Sequence, residues 1–188
     1  MTDCAKNLAY REGAIIGEYE RERCTLDLYA PAGAGPFPVL VWFHGGGLTG
    51  VSKDADEAVN VGWRLATEGI VTAVPNYRLS PRVRFPEYIR DAAASVAWTH
   101  QHIGKYNGDP NRLYIGGHSA GGYLALMLAF DEQYLREEGM DPAQLAGLLP
   151  VSGQTLTHAA VKAERGTPAE RVVVDEASVL HHLRAQIP

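Results

Sequence analysis

Two short stretches hold residues whose types and spacing could carry acyl transfer. The first is Leu113-Tyr114-Ile115-Gly116-Gly117-His118-Ser119-Ala120-Gly121-Gly122-Tyr123. Leu113 to Ile115 reads as a short buried strand, and the dense Leu, Ala and Met from Tyr123 to Ala129 read as a buried helix. Between them Gly-x-Ser-x-Gly sets Ser119 on a turn tight enough to need glycine at 117 and 121, the nucleophile-elbow pattern. The bland alternative is a serine that only caps the helix behind two turn-forming glycines. Against it stands the second stretch, Val39-Leu40-Val41-Trp42-Phe43-His44-Gly45-Gly46-Gly47, where an apolar strand runs directly into His-Gly-Gly-Gly. Backbone amides without side chains in front of them can be aimed at a developing oxyanion.

The chemistry follows from the pair. A serine hydroxyl is inert near neutral pH, so Ser119 as a nucleophile needs a base to take its proton and a third group to hold that base. Gly46 and Gly47, with the amide of Ala120 just after the nucleophile, are the expected oxyanion hole. The bland reading of the triple glycine is a flexible turn.

These motifs resemble the α/β-hydrolase superfamily, and within it the His-Gly-Gly-Gly esterases of the hormone-sensitive-lipase-like, feruloyl-esterase-like and arylformamidase-like branches. The resemblance runs from about Leu26 to the C-terminal end and is carried by His44 to Gly47, Asn76-Tyr77-Arg78-Leu79-Ser80-Pro81, and Gly116 to Gly122. One residue departs from it: the hormone-sensitive-lipase-like enzymes usually have Asp before the serine, where this chain has His118. The resemblance implies a serine carboxylic-ester hydrolase acting through an acyl-enzyme on a small-molecule ester, with no cofactor. It places the acyl pocket near Leu48 and Tyr123. An arylformamidase-like amide hydrolase is the nearest rival, and a catalytically silent fragment that binds a ligand or partner is the reading from another class.

In this superfamily the triad follows the order Ser, Asp or Glu, His, so both partners lie after Ser119. Asp131, Asp141 and Asp175, and His158, His181 and His182, are available there. None follows a late buried strand as the resemblance requires. The expectation is an α/β-hydrolase domain lacking its C-terminal strands and helix. Leu183 to Pro188 would lead into the next strand, and roughly 60 to 90 further residues would complete the fold, at ~30 or more per strand-helix-strand unit.

His44 precedes the serine, and the resemblance gives it the role of tying the glycine loop down. His118, the variable elbow residue, is expected to pack or hydrogen-bond beneath the turn. Arg78 and Asp91 read as structural partners, because charges in apolar surroundings are usually paired. Adjacent His181 and His182 face opposite ways on a helix, and no third residue is spaced for a metal.

Composition excludes other classes. With 188 residues, 46% of them apolar, the chain suits one globular domain. A net charge of -5 spread along the chain offers no footprint for nucleic acid or an anionic membrane. Cys4 and Cys24 lie in no metal or redox spacing and are expected as free thiols. The N-terminus lacks a signal peptide's basic and apolar regions, and no segment approaches the ~20 apolar residues of a membrane span, so a cytoplasmic address is expected. Self-association through an exposed sheet edge is the one oligomeric expectation.

The elements needed to position these motifs can be read in order. Residues up to about Gly13 are polar and expected on the surface, and Ala14-Ile15-Ile16 with Arg23 to Tyr29 suggests an opening antiparallel pair. Val39 to Phe43 is apolar throughout, as a parallel strand covered on both faces is. Helical spacing covers Asp54 to Thr67 and Pro86 to about Ile103, with the strand Ile70 to Val74 between them. After Phe130, helices are expected at Glu132 to Glu138, Ala159 to Arg165 and Ala177 to Arg184, and a buried strand at Leu145 to Ser152; Val172 to Val174 is ambiguous. Strand and helix in alternation require a doubly wound, mostly parallel sheet, the α/β class.

Overall fold

In the computed structural model, which describes residues 3–13 and 16–183, six strands form one sheet. They are β1 (Asp3–Ala9), β2 (Thr25–Ala30), β3 (Phe37–Phe43), β4 (Val71–Pro75), β5 (Gly108–His118) and β6 (Leu145–Val151), ordered β1-β2-β4-β3-β5-β6. β4, β3, β5 and β6 are parallel, while β1 and β2 join antiparallel at one edge. The connecting helices are α1 (Glu18–Arg23), α2 (Asp56–Thr67), α3 (Glu87–His102), α4 (Ala120–Phe130), α5 (Gln133–Glu137) and α6 (Ala159–Glu164).

From β3 the chain steps outward to β4, then returns past β3 to β5. With right-handed crossovers this reversal sends α2 to one face and α3 and α4 to the other, and it opens a crevice at the carboxyl ends of β3 and β5. Val39, Val41 and Phe43 pack into the main core with α3 and α4, while Val74 and Tyr29 pack with Ala58 and Ala66 of α2. α4 is buried all round, which is why its sequence shows no polar stripe. On the α2 side, Leu40, Trp42, Tyr114 and Leu149 line two neighbouring cavities of about 330 and 480 Å³. Leu149 is 45% exposed there, which corrects the expectation of a buried strand at Leu145 to Ser152: β6 is the outer strand, and only Leu145 of it is buried.

Several expectations are corrected. Asp3–Ala9 is an edge strand, paired with β2 through a bulge between Ala5 and Leu8. At the edge of the sheet its faces are only partly covered and the bulge interrupts the alternation, so its polar residues stay wet. The partner of β2 is therefore this strand; Ala14 and Ile15 lie outside the described residues. Ala177 to Arg184 forms only a 3-10 turn over Val179–His182, with Arg184 outside the described residues along with the other positions up to Pro188. Val172 to Val174 is not a strand, and Val172 is 72% exposed. Among the described residues no helix is long and apolar enough to cross a membrane.

Candidate active site

Ser119 joins β5 to α4 with φ 53° and ψ -114°, a left-handed conformation that a side chain rarely adopts. Its amide donates to Val151 O at 2.8 Å and its carbonyl accepts from Tyr123 N at 3.0 Å, so strand and helix both grip the strained residue. Close approach explains the glycines. A β-carbon on Gly117 would meet Phe43 O and the Gly121 backbone, and one on Gly121 would run into the carbonyls of Phe43 and His44. The start of α4 is thereby pressed against the end of β3, from which the glycine loop leaves. A β-carbon built on Gly45 would lie 3.7 Å from that of Ser119. The two motifs meet in the crevice.

Gly46 and Gly47 both have positive φ, 101° and 64°. Gly46 O accepts from Thr49 N and Gly50 N, each at 3.1 Å. Among the described residues the N–H groups of Gly46, Gly47 and Ala120 donate to no protein acceptor. Ala120 is the first residue of α4, where free amides and the helix dipole favour negative charge.

His44 is fully buried, stacked on Tyr77 with ring centroids 4.4 Å apart, and its Nδ1 lies 2.7 Å from Gly45 O. The Tyr77 hydroxyl donates to His44 O at 2.8 Å. Burial holds the His44 imidazole down to about 4, so it stays neutral. His118 corrects the expectation of packing beneath the turn. It ends β5 exposed, with Nδ1 3.9 Å from Glu57 Oε2 at the start of α2.

Among the described residues, none of the downstream acids and histidines is bonded to Ser119. Asp131 sits 3.4 Å from His182 Nε2 but caps the far end of α4, about 18 Å along the helix axis from Ser119 at 1.5 Å per residue. Asp141 caps a 3-10 turn, and Asp175 is bonded to Thr157 and Arg165. His158 is buried: its Nδ1 accepts from Ala160 N to cap α6, and its ring lies 5.0 Å from that of Tyr123. Among the described residues no carboxylate or imidazole is bonded to Ser119. Leu48 and Tyr123, expected beside an acyl pocket, are instead closed into the core, and the Tyr123 hydroxyl donates to Ala177 O.

Glu20, Cys24 and Asp91 could together face a metal. The fit is poor. Arg78 and Arg11 already occupy the Asp91 carboxylate, at 2.7 and 3.3 Å. Burial, then Asp91, push the Cys24 thiol up to about 12, so it keeps its proton and is a weak ligand.

Burial holds His158, like His44, down to about 4. Both are neutral in the fold and take up protons more readily once unfolded, where the ordinary value is 6.5. Their stabilisation is therefore complete above pH 6.5 and is lost as pH falls from 6.5 toward 4, by up to about 3 kcal/mol each. Urea titrations between pH 7 and 4 check the slope. His158→Asn, which keeps a cap acceptor, removes about half of that histidine contribution; an unchanged slope overturns the assignment.

Comparison with known proteins accords with this geometry. The BD-FAE family model matches residues 26–151, from β2 through the elbow to the end of β6. The chain belongs to the BD-FAE family. Esterase LipC of Mycobacterium tuberculosis is 37% identical over 111 residues, 56% of this chain and 27% of its own length. The probable isoprenylcysteine alpha-carbonyl methylesterase ICMEL1 of Arabidopsis thaliana is 32% identical over 130 residues, 69% of this chain and 26% of its own. Among solved structures, Thermogutta terrifontis esterase 2 phosphoramylated by tabun superposes with a TM-score of 0.70 at 22% identity, covering 98% of this chain and 68% of that one. This BD-FAE chain spans about a quarter to a third of the length of the curated relatives it matches.

Proposed function

We propose that this chain carries the nucleophile and oxyanion hole of a serine carboxylic-ester hydrolase. The observation behind the reading is the free amides of Gly46, Gly47 and Ala120 in two turns that converge beside the strained Ser119. Ser119 Oγ attacks the ester carbonyl, the amides hold the oxyanion, and collapse breaks the acyl–oxygen bond and releases the alcohol with the serine's proton. Water then cleaves the acyl-enzyme to the acid. His44 stays neutral and holds the loop. His118 lies outside the reacting group. The histidine and acid that would move the protons come, on this reading, from outside residues 3–13 and 16–183 of a single α/β-hydrolase domain. The substrate is a small-molecule ester and not nucleic acid or a membrane surface. The free thiols Cys4 and Cys24 suit a reducing, cytoplasmic setting. The edge of β6, unpaired among the described residues, suits self-association.

One observation favours a second reading. With no acid–histidine pair at Ser119 among the described residues, the chain as it stands could fold and bind without turning over. Fluorophosphonate labelling separates the two. In a protein that also carries the acid and histidine, the hydrolase reading expects stoichiometric labelling and p-nitrophenyl butyrate hydrolysis, both lowered by about a thousandfold or more in Ser119→Ala. A folded sample of that protein that neither labels nor hydrolyses overturns it.

A further inference from the structure

The glycine loop does not hold its own shape. Gly46, Gly47, Leu48 and Val51 all have positive φ, and the loop's own backbone bonds are the two that Gly46 O accepts. External contacts supply the rest, and three come from the segment after β4. Tyr77 donates to His44 O, Ser80 N donates to Leu48 O at 2.8 Å, and Asn76 Oδ1 accepts from Lys53 N at 2.7 Å. Loop and segment therefore stand or fall together.

Arg23 bridges them. Its Nε donates to Tyr77 O at 3.0 Å and its Nη2 donates to Val51 O at 3.3 Å. It is the last residue of α1, a helix with no buried residue that is attached by polar contacts. Tyr19 of that helix accepts from Leu79 N at 3.1 Å and lies 3.5 Å beneath the Arg82 guanidinium, and Glu20 is 3.6 Å from Arg78. We propose that Arg23 is a positioning residue for the oxyanion hole, bracing Val51 against Tyr77 and so fixing the direction of the Gly46 and Gly47 amides. This rests on the hydrolase reading above. Donors aimed at a developing charge help only if they are held before the charge appears. A planar guanidinium can hold two carbonyls at a fixed separation, which a lysine ammonium cannot reproduce. The Arg23 charge also opposes protonation of His44, so its positive field reaches the loop where an oxyanion would form.

Arg23→Met and Arg23→Lys test the brace in the whole chain. Amide hydrogen exchange across residues 46–53 is expected to rise about tenfold in Arg23→Met, while α3 and α4 keep their protection. With p-nitrophenyl butyrate, kcat per fluorophosphonate-titrated site is expected to fall about tenfold, less than for outright loss of a donor, with KM within about twofold. Arg23→Lys, keeping the charge without the fork, is expected between the two. Unchanged exchange in the loop overturns the proposal, as does a lower melting temperature with unchanged kcat per titrated site. Should the unsubstituted protein with its acid and histidine neither label nor turn over, the hydrolase reading fails by itself, and the exchange measurement still decides whether Arg23 braces the loop. If Arg23→Met does not fold, Arg23→Lys carries both measurements.

Discussion

Asp91→Ala lowers stability by about 3 to 5 kcal/mol, the range for removing one partner from a buried ion pair. The carboxylate is fully buried in α3 and accepts three bonds from Arg78: the backbone N at 3.0 Å, Nε at 2.8 Å and Nη2 at 2.7 Å. Arg11 Nε adds a fourth contact at 3.3 Å. The bonds to Asp91 push the Arg78 guanidinium above its ordinary range, and Arg78 stays charged even when that partner is removed, because a guanidinium keeps its proton at any ordinary pH. Two cations are then left beside the buried face of α3. Glu87 and Glu20, at 3.1 and 3.6 Å from Arg78, compensate in part and place the cost toward the lower end. Urea denaturation measures the loss, and Asp91→Ala combined with Arg78→Met recovers part of it, because the second change removes one stranded charge. A loss below about 1 kcal/mol would show that the pair is no more than a surface bridge.

How much was legible in the sequence depended on whether a residue acts through its side chain in a periodic element. β3, β4 and the apolar middle of β5 announced themselves as apolar runs because inner parallel strands are buried on both faces, whereas β6 reads as apolar yet lies largely exposed at the outer position. Arg78 and Asp91 were legible as a pair because charges in apolar surroundings need partners. α1 was not, since it buries nothing and so leaves no hydrophobic stripe. Arg23 was invisible for a related reason: it binds backbone carbonyls, whose positions leave no mark on the residue types around them. His118 was misplaced because the turn was imagined to have an underside, whereas the exit of β5 faces the start of α2 and leaves the imidazole exposed beside Glu57. His158 offered no pattern at all, its burial arising where α6 meets Tyr123.

Gly121→Ala is expected to cost on the order of 3 kcal/mol or more, although alanine is the better helix former by ~1 kcal/mol. The added methyl would fall on the Phe43 carbonyl oxygen, 2.6 Å from the Phe43 carbonyl carbon and 2.8 Å from His44 O. All three are backbone atoms of the strand exit that leads into the glycine loop, so no side-chain rotation relieves the overlap. Relief requires the first turn of α4 to move away from β3. That motion draws Ser119 and the Ala120 amide away from Gly46 and Gly47, so fluorophosphonate labelling should fall together with stability. Overpacking at sites that can shift costs ~1–3 kcal/mol, and a site bounded by backbone lies at or above the top of that range. Gly104→Ala is the internal reference: nothing lies within 4 Å of its built β-carbon and its φ is not positive. There the change is neutral or slightly stabilising, through a less flexible unfolded chain. If Gly121→Ala proves as stable as Gly104→Ala and still labels, the close approach of α4 to β3 is not what sets the serine against the loop.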